Sequence, residues 1–127
     1  MIRFNINLSQ NDPYFSTSCS IQLDDHVVVT GGTNPKNKAS VYNMDGWVQD
    51  LPDLNQGRYK HGCGHYVDND NNLVYLVTGG WSGVIDLIST EILRSGDSAW
   101  TDAGNLPSPM SALSGLSWQN KIIMTGR

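Results

Sequence analysis

The sequence is poor in charged residues and has no long apolar run. Charged residues make up 16% of its 127 positions, and the formal net charge is −4. Phosphate binding needs clustered Lys and Arg, so this balance disfavours nucleic acid as a partner. The longest unbroken apolar run is the five residues Leu73-Val74-Tyr75-Leu76-Val77. A membrane span needs about 20 such residues, so no membrane association is predicted. The opening residues also lack the apolar stretch of a signal peptide.

Cysteine is scarce, because Cys19 and Cys63 are the two occurrences in the chain. They occupy equivalent positions in two adjacent repeats, which are described below. Neighbouring stacked sheets lie about 10 Å apart, whereas a disulfide requires Cα atoms within about 7 Å of each other. We therefore expect two free thiols. Free thiols weakly favour a cytoplasmic location, because reducing compartments maintain them.

Helical periodicity is also lacking, and a repeat takes its place. No segment shows a convincing apolar period of 3.6, so no substantial helix is predicted. Apolar segments that end in Thr-Gly recur, with their first glycines at Gly31, Gly79 and Gly126, spaced 48 and 47 residues apart. After each of the first two come a tryptophan and then a Leu-Pro pair: Trp47 with Leu51-Pro52, and Trp100 with Leu106-Pro107. A period near 50 is typical of propeller blades.

Each repeat unit is predicted to contain four short strands joined by tight turns rich in Asp and Asn. The first strands are predicted at 17–23, 62–67 and 113–118, and the third strands at 40–42 and 88–93. The second strands are the apolar runs, and the fourth strands begin at the tryptophans. Ile2, Phe4, Ile6 and Leu8 alternate with polar residues, which predicts a leading strand within residues 1–15, interpreted as the outer strand of a preceding blade. The units themselves are predicted at 16–57, 58–108 and, in part, 109–127.

The ordered motifs resemble those of the kelch family of β-propellers. The diglycines, Tyr42, the tryptophans and the Leu-Pro pairs recur in order. Arg58 and His61 stand where kelch units commonly carry an arginine and a small residue or His. The resemblance covers residues 16–127 and implies an all-β fold of four-stranded antiparallel sheets, stacked as an incomplete propeller arc. Because propellers close with roughly 4–8 blades, we expect a fragment of a longer parent chain, whose remaining blades would be its partners.

Function is expected in the connections between blades, because loops on a rigid scaffold commonly carry binding residues. The kelch resemblance implies a protein or peptide partner, bound by loops on one face, and no cofactor. Arg and Tyr are frequent interface hot spots. For Arg58, structural bonding to neighbouring carbonyls is an equal alternative, and for Trp81, packing on its own blade is slightly favoured. The candidate partner-binding residues are Asn34, Lys36, Arg58, Tyr59, Lys60 and Trp81.

Two metal-site alternatives are weaker. His61, Cys63 and His65 share one face of a strand and suit Zn or Cu, but no fourth ligand is evident. We therefore interpret them as packing residues. The segment 68–72, Asp-Asn-Asp-Asn-Asn, is similar to the start of a calcium loop. It lacks the Gly and Glu that such a loop requires at its sixth and twelfth positions, so a turn is predicted instead.

A catalytic alternative comes from the same family resemblance. Copper oxidases similar to galactose oxidase are kelch-like propellers whose metal site uses two Tyr, two His and a Tyr-linked Cys. This chain has those residue types, but they crowd into one hairpin, and the sequence has no nucleophile elbow or phosphate-binding loop. We therefore predict a binding module and not an enzyme, with a non-functional repeat remnant as a third alternative. The residues concerned are His61, Cys63, His65, Tyr66 and Tyr75.

Overall fold

The computed structural model of this protein describes residues 17–33 and 36–126, and no helix occurs among them. Ten strands form two four-stranded antiparallel sheets and one hairpin, and none of them closes into a barrel. The prediction of an all-β fold with four-stranded antiparallel sheets is therefore confirmed. The described ranges contain no helix long and apolar enough to cross a membrane. The leading strand predicted within 1–15 lies outside the described residues.

Each sheet is a meander in which consecutive strands are neighbours. Sheet I contains β1 (Cys19–Gln22), β2 (Val27–Thr30), β3 (Ala39–Asn43) and β4 (Gly46–Asp50). Sheet II contains β5 (Gly62–Val67), β6 (Leu73–Thr78), β7 (Ser89–Arg94) and β8 (Thr101–Asn105). Hairpin III contains β9 (Ser114–Trp118) and β10 (Lys121–Thr125). The short β-branched runs form the second strands, as expected for residues that pack well on a pleated surface.

The turn between β5 and β6 is built by the side chain of Asp68. Its Oδ1 accepts the backbone N–H groups of Asp70, at 3.0 Å, and of Asn72, at 2.9 Å. Asn71 adopts a left-handed φ of 64°, a conformation that Asn tolerates better than most residues. The local hydrogen bonds agree with the turn that the sequence predicts for this segment.

The diglycines end the second strands with two successive left-handed residues. Gly79 has a φ of 61° and Gly80 a φ of 95°. A Cβ placed on Gly80 would lie 2.7 Å from the carbonyl oxygen of Tyr59, which is backbone and cannot move aside easily. Glycine is therefore required here both by the backbone conformation and by the close approach of the preceding connection.

Sheets I and II pack face to face and form the hydrophobic core. Side chains from the second and third strands of sheet I meet the facing side chains of sheet II. The other face of sheet II carries hairpin III, where a side chain at Gly64 would collide with Ser117 and Ile122. Sheet II is therefore covered on both faces. The buried core residues are Ile21, Val28, Ala39, Val41, Leu54, Cys63, Val77, Leu93 and Trp100.

The two repeat tryptophans have different environments. Trp100 is 3% exposed in the core, and its indole N–H donates to the carbonyl oxygen of Pro52 at 2.7 Å. Trp47 is 60% exposed. The two tryptophans that occupy equivalent motif positions therefore differ in burial. The reason is positional: Trp100 faces sheet I, whereas Trp47 lies on the opposite face of sheet I, where no other described strand packs.

The prediction of two free thiols is wrong, because Cys19 and Cys63 form a disulfide. Their Cα atoms are 6.1 Å apart, well inside the spacing assumed from the sequence. The sheets are not parallel layers: their contacts concentrate on the first strands, with β1 against β5 and β5 against β9. Equivalent residues on the first strands of sheets I and II therefore come close enough to bond. Because these cysteines are not free thiols, they no longer favour a cytoplasmic location.

Candidate functional site

The meander topology separates the connections into two ends of the stacked sheets. The β1–β2, β3–β4, β5–β6 and β7–β8 turns lie at one end, here called the turn end. The β2–β3, β4–β5 and β6–β7 connections lie at the opposite end, the loop end. All the candidate partner-binding residues belong to loop-end connections. Of these, Asn34 lies outside the described residues, and the other five are considered below.

Arg58 is buried completely and forms part of the protein interior. Its Nη1 donates to the carbonyl oxygens of Gly79, at 2.9 Å, and Ser89, at 3.0 Å. Its Nη2 donates to the Ser89 hydroxyl at 3.1 Å and to Glu91 Oε2 at 2.8 Å. No part of this side chain is accessible to a partner. The sequence left two roles open for Arg58, contact with a partner and bonding to neighbouring carbonyls. The hydrogen bonds of Arg58 correspond to the second role.

The buried Arg58–Glu91 pair is embedded in a wider set of hydrogen bonds. Glu91 also accepts the backbone N–H groups of Asn55, at 2.7 Å, and Gln56, at 3.1 Å. Burial lowers the pKa of Arg58, and the hydrogen bond and charge of Glu91 oppose that effect. An arginine keeps its proton regardless. The pair therefore fixes the connection before β5 against sheet II.

Lys36, Tyr59 and Trp81 lie close together at the loop end. Tyr59 and Trp81 exchange backbone hydrogen bonds in an isolated antiparallel bridge, with N···O distances of 3.1 and 2.7 Å. The Lys36 ammonium lies 6.0 Å from the centre of the Tyr59 ring. It also donates to the carbonyl oxygen of Ser82 at 3.0 Å. Lys36 thus links the connection from sheet I to the connection from sheet II.

The connection after Trp81 is a small ordered hairpin with an apolar tip. The Ser82 N–H donates to the carbonyl oxygen of Ile85 at 3.0 Å. The Ser82 hydroxyl accepts the backbone N–H groups of Val84, at 3.2 Å, and Ile85, at 3.1 Å. These bonds hold the tip in one conformation while Val84 is 79% exposed and Ile85 is 60% exposed. Sequence reasoning missed both residues, although an apolar pair after Ser-Gly in a loop was a usable signal.

Lys60 is exposed and has a left-handed φ of 55°. Its backbone joins three parts of the chain, because its N–H donates to the carbonyl oxygen of Thr17 and its own carbonyl accepts the N–H of Leu113. This double attachment holds a backbone conformation that is costly for a non-glycine residue. Lys60 belongs to the same loop-end connection as Tyr59. We call Lys36, Tyr59, Lys60, Trp81, Val84 and Ile85 the loop-end surface.

The His and Cys residues of the first metal alternative do not gather into a metal site. His61 is buried, its Nε2 is 2.8 Å from the Thr30 hydroxyl, and desolvation together with the charge of Arg58 lowers its pKa to about 3. Cys63 is bonded to Cys19. Burial lowers the pKa of His65. Within the described ranges, no group of three or more His, Cys, Asp or Glu side chains has a geometry that could hold a metal ion.

Comparison with known proteins adds no relative to this picture. No protein-family model matches the chain, and a search of curated proteins finds no match either. The kelch resemblance therefore stands on the repeated motifs alone.

Proposed function

We propose that this chain is a protein-interaction module, a kelch-like propeller arc that recognises a peptide or protein segment through its loop-end surface. The observation that carries the proposal is the hairpin tip, in which Val84 and Ile85 are held out into solvent by backbone and Ser82 hydrogen bonds. Contiguous exposed apolar surface marks interaction sites, and Val84 and Ile85 are neighbours beside the aromatic side chains of Tyr59 and Trp81. A preformed conformation lowers the entropic cost of binding.

The surroundings of the tip support recognition of a partner segment with mixed character. Tyr59 and Trp81 offer aromatic surface beside the tip, and both residue types are enriched at binding hot spots. Lys60, in the same connection as Tyr59, is exposed and has no carboxylate partner within 4.0 Å among the described residues. The best-matched partner therefore combines apolar side chains with an acidic group that pairs with Lys60.

The proposal is tested by selecting binders from a random peptide library on the 127-residue chain. The selected peptides are then measured against three variants by calorimetry. Ile85→Ser removes an exposed apolar side chain from the loop-end surface, and Lys60→Ala removes the ammonium group of Lys60. Met44→Ser is the matched control, because Met44 is an equally prominent apolar residue, 68% exposed, at the turn end.

Peptides enriched in apolar and acidic residues are expected, with Ile85→Ser weakening them about ten-fold. Lys60→Ala should weaken them two- to five-fold, as for an exposed ion pair. Met44→Ser should change nothing. If no peptide is enriched, or if the enriched peptides bind Ile85→Ser as tightly as the unaltered chain, the loop-end surface is not the recognition site.

A further inference from the structure

A cleft lies at the turn end, between sheets I and II. Its volume is about 450 Å³. Its floor is apolar and includes Val41 and Leu93, which are buried, with Leu51, Leu73 and Tyr75 as partly exposed walls. The cleft is separate from the loop-end surface, because it lies at the opposite end of the strands. The function proposed for the loop end makes no use of it.

One wall of this cleft carries a chain of two side-chain hydrogen bonds that links sheet I to sheet II through Asp25, His26 and Tyr75. The Asp25 carboxylate lies 2.6 Å from His26 Nδ1, and His26 Nε2 lies 2.7 Å from the Tyr75 hydroxyl. A carboxylate can accept but not donate, so the imidazole N–H at Nδ1 points to Asp25. In the neutral imidazole, Nε2 then accepts the phenol O–H. The hydrogen bond from His26 lowers the pKa of Asp25, so that carboxylate is ionised at neutral pH.

The charges around the cleft do not balance. Arg94 is the one Lys or Arg residue in the lining, and its Nε donates to Asp68 at 3.1 Å, which offsets its charge. Asp25 and Asp97 also line the cleft and are exposed. Among the described residues, neither carboxylate pairs with a Lys or an Arg within 4.0 Å. The rim is therefore negative above an apolar floor.

We propose that this cleft binds a partner segment that carries a lysine or arginine next to apolar residues. The apolar neighbours cover Leu51 and Leu73, and the cation reaches the carboxylates of Asp25 and Asp97. The charge complementarity selects this occupant, because an acidic or neutral segment would leave both carboxylates uncompensated while it removes water from them. The Tyr75 ring adds an aromatic face that favours a cation. His26 holds Asp25 and Tyr75 in place from both sides.

The test uses three short peptides as probes: acetyl-Leu-Lys-Leu-amide, and the same peptide with Gln or Glu in place of Lys. Each is titrated into the ¹⁵N-labelled 127-residue chain, and amide shifts are followed by NMR. We expect saturable shifts at His26 and in the segment 95–97 for the Lys peptide. The Gln peptide should bind about ten-fold more weakly, and the Glu peptide should give no saturable shift.

Variants separate the cleft from the general negative charge of the turn end. Asp25→Asn with Asp97→Asn should weaken the Lys peptide about five- to ten-fold. Asp70→Asn removes the same charge from a turn at the same end that does not line the cleft, so it should preserve affinity. Gln49→Lys places a cation on a cleft-lining strand and should compete with the peptide. All these positions except Gln49 lie in turns, and Asp25, Gln49, Asp70 and Asp97 are exposed.

Three outcomes would overturn the proposal. Equal shifts with the Lys and Glu peptides would show that charge plays no part. If Asp70→Asn weakens binding of the Lys peptide as much as the double variant does, the peptide responds to the overall negative charge of the turn end and not to a defined site. Shifts of the same amides on dilution of the chain, without peptide, would show that a second copy occupies the cleft. The loop-end surface is not altered by any of these variants, so the two proposals fail independently.

Discussion

Replacement of Arg58 by Ala tests whether this residue stabilises the fold or binds a partner. Arg58 lies in the connection between β4 and β5. The side chain is fully buried and pairs with Glu91, itself nearly buried. Truncation leaves the Glu91 carboxylate in the interior without a cation, and it leaves the Gly79 and Ser89 carbonyls without their guanidinium donors. Removal of one partner from a buried ion pair typically costs about 3–5 kcal/mol. Small domains are stable by about 5–15 kcal/mol in total.

The loss is measured by urea unfolding at neutral pH, followed by tryptophan fluorescence. With a denaturant dependence of about 2 kcal/mol per molar urea, a loss of about 4 kcal/mol moves the midpoint down by about 2 M. Lys60→Ala is the matched control, because Lys60 is a cation two residues away with an exposed side chain, and its loss should change stability by less than about 0.5 kcal/mol. Arg58→Lys keeps the charge but loses the planar fork, so an intermediate loss is expected.

A double variant, Arg58→Met with Glu91→Leu, tests the origin of the loss. It removes both charges and should recover part of the stability. Recovery is incomplete, because the backbone N–H groups of Asn55 and Gln56 then lose their acceptor. The reasoning is refuted if Arg58→Ala unfolds at the same urea concentration as Lys60→Ala. A variant of normal stability that no longer binds the selected peptides would restore Arg58 as a contact residue.

Two further predictions concern pH and redox state. The pKa of His61 is about 3 in the folded chain against 6.5 when unfolded, so the unfolded state takes up the proton first and stability falls as pH drops below about 6.5. Between pH 7 and pH 5 the expected loss is about 2 kcal/mol by urea unfolding, and His61→Gln should flatten that dependence; an unchanged slope would contradict it. The disulfide joins residues 44 apart, so Cys19→Ser with Cys63→Ser should cost about 4 kcal/mol, and a reductant should destabilise the unaltered chain but not this variant. Equal reductant sensitivity in both would show that the bond does not form.

The strands were predictable because their signals are local. The predicted strand at 62–67 coincides with β5, and those at 40–42 and 88–93 overlap β3 and β7, because alternating apolar residues and Asp or Asn turns act over a few positions. The packing of one sheet on another is not local. Trp47 and Trp100 carry the same motif signal, yet a neighbouring sheet buries only the second. The disulfide escaped prediction for a related reason, because sequence gives no angle between sheets.

The candidate site shows the same division. Sequence placed Lys36, Tyr59 and Trp81 in connections at one end, which follows from strand order alone. It gave no means of separating Arg58 from Lys60, two cations in the same connection. Their difference arises because the chain at Arg58 enters the groove between sheets, where Gly79, Ser89 and Glu91 offer acceptors from sheet II. Arginine is frequent both at interfaces and in buried ion pairs, so the residue type alone does not assign a role to Arg58. Its contacts in the structure do.

Both proposed surfaces depend on one interface, because each is assembled from sheets I and II together. At the loop end, Lys36 from sheet I contacts Ser82 of sheet II, and at the turn end His26 contacts Tyr75. Nearer the loop end, the disulfide joins β1 of sheet I to β5 of sheet II. A rigid junction between the sheets therefore preorganises both ends, and loss of the disulfide should weaken peptide binding at the two ends in parallel. Weakening at one end alone would show that each surface is held by its own hydrogen bonds and not by the shared packing.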